Sequence, residues 1–150
     1  MSLHIVLIEP EIHTNTGNIG RLSLATGSHL HLVKPFGFEL TDSRLKRAGL
    51  DYWPHIELSI YENTADFLEK NKDRKMAFLS SHATKDYTEI PYAKDTMLVF
   101  GKESNGLSST LTNRFKDDLY KIPQYSEHIR SINLANAVAV VTYEGLRQLR

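Results

Sequence analysis

The chain has 150 residues, 41% hydrophobic and 24% charged, a composition that describes a globular protein able to bury a core and excludes a disordered one. Eighteen basic and 18 acidic residues cancel to a formal net charge of +0, so no global field draws it to nucleic acid and any RNA surface must be a local patch. With no cysteine, disulfides and thiolate metal sites are excluded too.

Residues 3–8 (LHIVLI) form a β-branched run closed by Glu9-Pro10, which predicts a buried strand. No basic segment precedes it and Glu9 comes early, so it is not a secretory signal. The stretch NTGNIGR follows, where Asn15 or Thr16 is expected to cap a helix that runs through IGRLSLAT and stops at Gly27. HLHLV (29–33) is the next strand, ended by Lys34-Pro35. Asp42 or Ser43 is then expected to cap a short basic helix, RLKRAG, ending at Gly49.

Residues 56–60 predict another strand, and Asn63 or Thr64 the cap of a helix ADFLEKN. MAFLS (76–80), TMLVFG (96–101) and LYKIP (119–123) are compact apolar runs that each end in a loop, with a helix LSSTLTNRF between the last two. Strands alternating with helices argue for an α/β fold with a largely parallel sheet covered on both faces, organised as one domain over 1–150. The chain closes on NLANAVAVVTYEGLRQLR (133–150). Leu134, Ala135, Ala137, Val138, Ala139, Val140 and Val141 leave almost no polar face, which predicts a helix buried on all sides and hence a homodimer interface. The apolar stretch 135–141 is far shorter than the ~18–20 residues of a membrane span. A soluble cytoplasmic protein is expected, with no membrane partner.

NTGNIGR fits neither the GxxxxGK[ST] phosphate loop nor GxGxxG, since Gly17 and Gly20 lack a middle glycine. Taken alone it is a helix start, although Arg21 is unfavourably placed for the helix dipole. Two later loops change its meaning. LVFGKESNGLS (98–108) joins an apolar strand, a glycine, Glu103 and a second glycine; KIPQYSEHIRSINLANAVAVV (121–141) leads through Ser131-Ile132-Asn133 into the apolar helix. Glycines at strand ends let a ligand approach the backbone, and in open α/β sheets ligands lie beyond the C-terminal strand ends.

With NTGNIGR, FGKESNGL and IRSINLAN in this order, joined by EPEI, RLKRAGLDYW and YEGLRQL, the whole chain resembles the SPOUT superfamily of knotted methyltransferases. It is most similar to the minimal single-domain TrmL (YibK) branch, tRNA (cytidine/uridine-2′-O-)-methyltransferases. The resemblance implies a deep trefoil knot in the C-terminal third, an obligate homodimer with sites at its interface, and S-adenosylmethionine as methyl donor, released as S-adenosylhomocysteine, with no metal. The expected substrate is the wobble ribose, position 34, in the anticodon stem-loop of tRNA, with leucine isoacceptors foremost. Rival expectations are another tRNA position, ribosomal RNA, or a knotted RNA binder without transferase activity.

By motif match the cofactor pocket would use Leu79, Gly101, Ile122 and Ser131, and the catalytic set would be Arg21, Asn15, Glu103, Ser131 and Asn133. Arg21 matches the catalytic arginine; a guanidinium stays protonated, so its physical role is to stabilise alkoxide charge or clamp a phosphate. Glu103 would orient a guanidinium, Asn15 would hold the loop or the ribose, and Ser131 and Asn133 double as caps for the last helix. RNA contacts are expected from Lys34, Arg44, Lys46, Arg47 and Arg130, with Tyr52, Trp53 or Tyr125 available to stack a base. The His29-x-His31 pair reads as core or surface histidine rather than a metal site.

Overall fold

The computed structural model describes residues 2–41 and 51–150. Seven strands form one sheet: β1 (His4–Ile8), β2 (His29–Val33), β3 (Leu58–Tyr61), β4 (Met76–Leu79), β5 (Lys85–Asp86), β6 (Met97–Phe100) and β7 (Leu119–Lys121). Their order is β3-β2-β1-β6-β4-β7-β5, and every pairing is parallel. The α/β expectation and the largely parallel sheet are thus met. The central strands are near-continuous apolar runs because both faces are covered, which alternation could not satisfy.

The helices are α1 (His13–Thr26), α2 (Thr64–Lys70), α3 (Ser109–Arg114) and α4 (Leu134–Leu149). Successive residues of β1 point to opposite layers. Ile5 and Leu7 pack with Ile19 of α1 and with Val138 and Val141 of α4. Val6 and Ile8 pack with Phe67 of α2 and Leu111 of α3. Gly27, in the left-handed region at φ 64, closes α1 by directing its N–H to the Leu24 carbonyl. Among the described residues no helix is long and apolar enough to cross a membrane.

Two expectations need correction. Helix α1 begins at His13 with Ile12 as its cap, so Asn15 and Thr16 are buried inside its first turn instead of capping it. The strand expected at 56 starts at Leu58, because Trp53–His55 forms a 3-10 turn that seats Trp53 and Ile56 in the core. Helix α4, expected to be covered on all sides only with a second subunit, buries Val138, Val141, Thr142 and Gly145 within its own chain and leaves Val140 and Tyr143 39% and 51% exposed. The basic helix expected between Asp42 and Gly49 lies outside the described residues.

Register decides where the loops converge. Leu7 of β1 pairs with Phe100 of β6, and Phe100 pairs with Leu79 of β4. Strands β1, β6 and β4 therefore end level with one another, and the neighbouring β7 emerges beside them. The segments after these four strands share one rim, the C-terminal edge where open α/β sheets build their sites.

Candidate active site

The first rim loop is tied down by a carboxylate far away in sequence. Ile12 has no side-chain oxygen with which to cap α1. Glu103, in the loop after β6, does this instead: its Oε1 accepts the Glu11 N–H at 2.8 Å and its Oε2 accepts the Ile12 N–H at 2.8 Å. These are orphan donors at a helix start, where the dipole favours a negative charge. Asn15, 8% exposed, donates from Nδ2 to the same Oε2 at 3.3 Å.

The second loop folds back on itself. Gly106 N–H donates to the Lys102 carbonyl at 3.0 Å, and Gly106 is left-handed at φ 65. A Cβ on Gly101 would lie 2.1 Å from the Gly106 carbonyl carbon and 2.3 Å from the Leu107 nitrogen. Backbone packs on backbone there, so no side chain fits at position 101. The third loop joins through Asn133, whose Nδ2 donates to Asn15 Oδ1 at 3.2 Å while its own Oδ1 accepts the Asn136 N–H and caps α4. Of the two expected caps, Asn133 takes this role; Ser131 stands on the cleft wall.

A single polar chain therefore links all three motifs, running from Glu103 through Asn15 to Asn133. Beside it lies an open cleft of about 1020 Å3. Leu79, Gly101, Ile122 and Ser131, the four residues expected to hold the cofactor, all line it, as do Glu103, Asn15, Asn133 and Arg130. Leu79 and Ile122 also pack against the core. The volume, apolar side chains and exposed loop backbone suit a nucleoside-sized ligand with an apolar arm.

Other expected residues are elsewhere. Arg21 is exposed on α1 and does not line this cleft. Six residues along a helix turn it about 120° away from Asn15. Its field reaches Tyr52, whose hydroxyl donates to the Gly17 carbonyl at 2.9 Å. Lys34 follows β2 and pairs with Glu62 at 3.4 Å, away from the cleft wall. Arg44, Lys46 and Arg47 fall outside the described residues. Trp53 is core, whereas Tyr125 is 95% exposed on the loop after β7.

Sequence reasoning missed two features. Glu11 accepts the Ser104 N–H at 2.8 Å, which the motif EPEI does not announce. His4 joins His29 and His31 in a cluster with metal-ligand composition. Its geometry is that of a hydrogen-bonded core: His4 Nδ1 and His31 Nε2 are 2.8 Å apart, and the His29 and His31 rings stack with centroids 4.2 Å apart. Both His31 nitrogens are engaged, Nε2 with His4 and Nδ1 with the Tyr61 hydroxyl at 2.8 Å. The alternating pattern of HLHLV had placed both histidines on one strand face, but not His4 beside them.

Residues 2–143 match the SpoU rRNA Methylase family. A protein of Saccharophagus degradans named tRNA (cytidine(34)-2′-O)-methyltransferase is 42% identical, covering 97% of this chain and 95% of that protein. A solved structure described by its relation to 2-OH methylation of C/U34 on tRNA superposes with a TM-score of 0.91 at 42% identity, over 99% of this chain and 96% of the other. An AdoMet-bound rRNA methyltransferase from Sinorhizobium meliloti superposes with a TM-score of 0.86 at 26% identity, over 99% of this chain and 57% of the other.

Proposed function

The chain belongs to the SpoU rRNA Methylase family, and on that premise we propose that it is a tRNA ribose 2′-O-methyltransferase acting on cytidine or uridine 34. The observation that carries this reading is the cleft at the strand ends, where Glu103, Asn15 and Asn133 lock three loops into one frame. Relatives with this chain length and fold carry the wobble-methylation name or description. The substrate is the anticodon stem-loop, and the protein works in the cytoplasm.

S-adenosylmethionine, when bound, supplies a sulfonium methyl carbon for in-line displacement by the ribose 2′-oxygen. Leu79 and Ile122 would enclose it with apolar surface, while the backbone at Gly101 and the hydroxyl of Ser131 offer polar contacts. Fixing the reactants in line is worth several kcal/mol, ~7–11 in ideal intramolecular cases. Arg21 is permanently cationic and accepts no proton; it stabilises charge developing on the 2′-oxygen or holds the adjacent phosphate. The hydroxyl proton then passes to a substrate phosphate oxygen or to water.

Arg21 faces away from the cleft of its own chain, so we assign it to the cleft of a second copy. A homodimer built on α1 and α4 would do this, and its support is the exposed apolar surface of Leu24, Val140 and Tyr143 on those helices. The knot belongs to the same reading. Its support is the path of the chain from β7 back past the loop after β6, which brings α4 against α1 and β6.

The test is transfer of labelled methyl to tRNA lacking 2′-O-methylation, leucine isoacceptors included, with the modified nucleotide mapped for wild type and Arg21→Ala. Label at ribose 34 that disappears in the variant supports the reading. Label at another nucleotide, or on ribosomal RNA only, replaces the proposed substrate.

A further inference from the structure

Glu9, Glu11, Lys102, Glu103 and Ser104 bring two separate loops into register. Glu103 reaches down to the Glu11 and Ile12 N–H groups, as described above. Glu11 reaches back in the opposite direction, its Oε1 accepting the Ser104 N–H at 2.8 Å. Lys102 Nζ stands 3.8 Å from Glu9 Oε2. EPEI and GKES are therefore joined by reciprocal bonds across more than ninety residues of sequence.

The two carboxylates have different tasks. Glu103 completes the start of α1 and holds Asn15, so it serves the helix. Glu11 serves the opposite loop. The Ser104 amide sits near the turn of residues 101–106, whose ends are already pinned by the Lys102–Gly106 bridge. Without a partner for Ser104 N–H, the turn keeps its base and the Glu103 bonds but loses the returning contact that holds its backbone to the segment before α1. The bonds from Ser104, backbone first, hold the Glu11 carboxyl below its ordinary range, with Lys102 nearby adding to the effect. The group is thus ionised at neutral pH, the form in which it accepts hydrogen bonds most strongly.

We propose that Glu11 is a positioning residue for the transfer reaction, presetting the 101–107 loop that lines the cofactor cleft by holding the Ser104 amide. This rests on the methyltransferase reading of the cleft. Because the loop is set before any ligand arrives, less ordering remains for binding to do. Glu11 touches neither cofactor nor reacting atoms in this scheme; it acts through the loop backbone.

The experiment compares wild type, Glu11→Ala and Glu11→Gln by amide exchange in the unliganded protein and by S-adenosylhomocysteine titration. Gln keeps an acceptor oxygen; Ala removes it. In Glu11→Ala, exchange at Ser104 should rise by about tenfold, with core amides such as Val6 and Leu98 unchanged, and the Kd should weaken by a similar factor. Glu11→Gln should stay within about threefold of wild type for both quantities. Unchanged Ser104 exchange and Kd in Glu11→Ala would overturn the proposal. So would a rise shared equally by the core amides, since Glu11 would then be a general stabiliser. If wild type itself bound no S-adenosylhomocysteine, the methyltransferase reading would fail, and Ser104 exchange alone would still judge the Glu11 contact.

Discussion

Acid should destabilise this protein through its histidine core before the carboxylates titrate. His31 is 2% exposed, 2.8 Å from His4 Nδ1 on one side and 2.8 Å from the Tyr61 hydroxyl on the other. Burial first, then the neighbouring His29, His4 and Arg74, push its pKa down from 6.5 to about 3. The charged groups facing the cluster are Arg74, 3.2 Å from His4 Nε2, Asp95, 3.4 Å from the same nitrogen, and Glu57, 3.4 Å from His29 Nδ1. The shifts of His4 and His29 are also downward, again led by burial.

The sign follows from linkage. The unfolded chain takes up the proton near pH 6.5 while the folded chain resists until about 3, so stability is full above 6.5 and is lost as pH falls. For His31 each pH unit between 6.5 and about 3 costs about 1.4 kcal/mol, so it alone removes about 2 kcal/mol by pH 5. For a domain of this size that is a Tm drop of about 4–8 °C. Urea unfolding at stepped pH from 7.5 to 5 would measure it, with His31→Gln alongside. The variant should be less stable at pH 7.5, having lost two buried hydrogen bonds, yet its stability should fall with a slope smaller by about one proton. Glu11 and Asp66, both held low by hydrogen bonds led by backbone donors, act in the same direction but below the carboxylate range, outside this window. A flat wild-type profile, or an unchanged slope in His31→Gln, would refute the reasoning.

Gly101→Ala places its Cβ against backbone at 2.1 Å, so the loop must open; a cost of about 1–3 kcal/mol is expected. Thermal shift by S-adenosylhomocysteine should shrink accordingly, and retention of the full shift would show that the loop has room. Changing Arg44, Lys46 and Arg47 together to Ala should flatten the plot of log affinity for tRNA against log salt by about 2 units, each lost phosphate contact removing ~0.7–0.9. An unchanged slope would remove this patch from the RNA surface. Val140→Glu puts a charge on the exposed stripe of α4; on the proposed α1–α4 dimer, sedimentation should show a dimer for wild type and a monomer for the variant, with methyl transfer lost in proportion. Dimeric Val140→Glu would move the interface elsewhere.

Several elements were legible because their causes are local. The apolar runs of β1, β4 and β6 are buried on both faces, and Asn63 and Asn133 cap the helices that follow them with their own side chains. The start of α1 was not legible, since its cap is the carboxylate of Glu103, about ninety residues away, and no window around Ile12 contains it. The same holds for Glu11, whose partner is in the loop after β6, and for His4, whose partner is set by strand register.

Arg21 is the instructive case, because the missing signal was present. The motif NTGNIGR groups Asn15 with Arg21, and a shared motif suggests a shared site. Helical geometry contradicts a shared direction: six residues at 100° each leave the two side chains about 120° apart. Asn15 is buried toward Glu103 and Asn133, while Arg21 is exposed on the far side of the same helix. If both serve one reaction, they cannot do so for the same copy of the cleft. On the proposed roles of Asn15 and Arg21, the spacing of the motif supports an assembly independently of the apolar surface of α4. A mixed dimer tests this directly: one chain carrying Arg21→Ala and the other Asn133→Ala should keep one intact cleft and about half of wild-type activity, although neither variant works alone. No activity in the mixture would place Arg21 and Asn133 in the same chain's cleft and overturn the argument from helical phase.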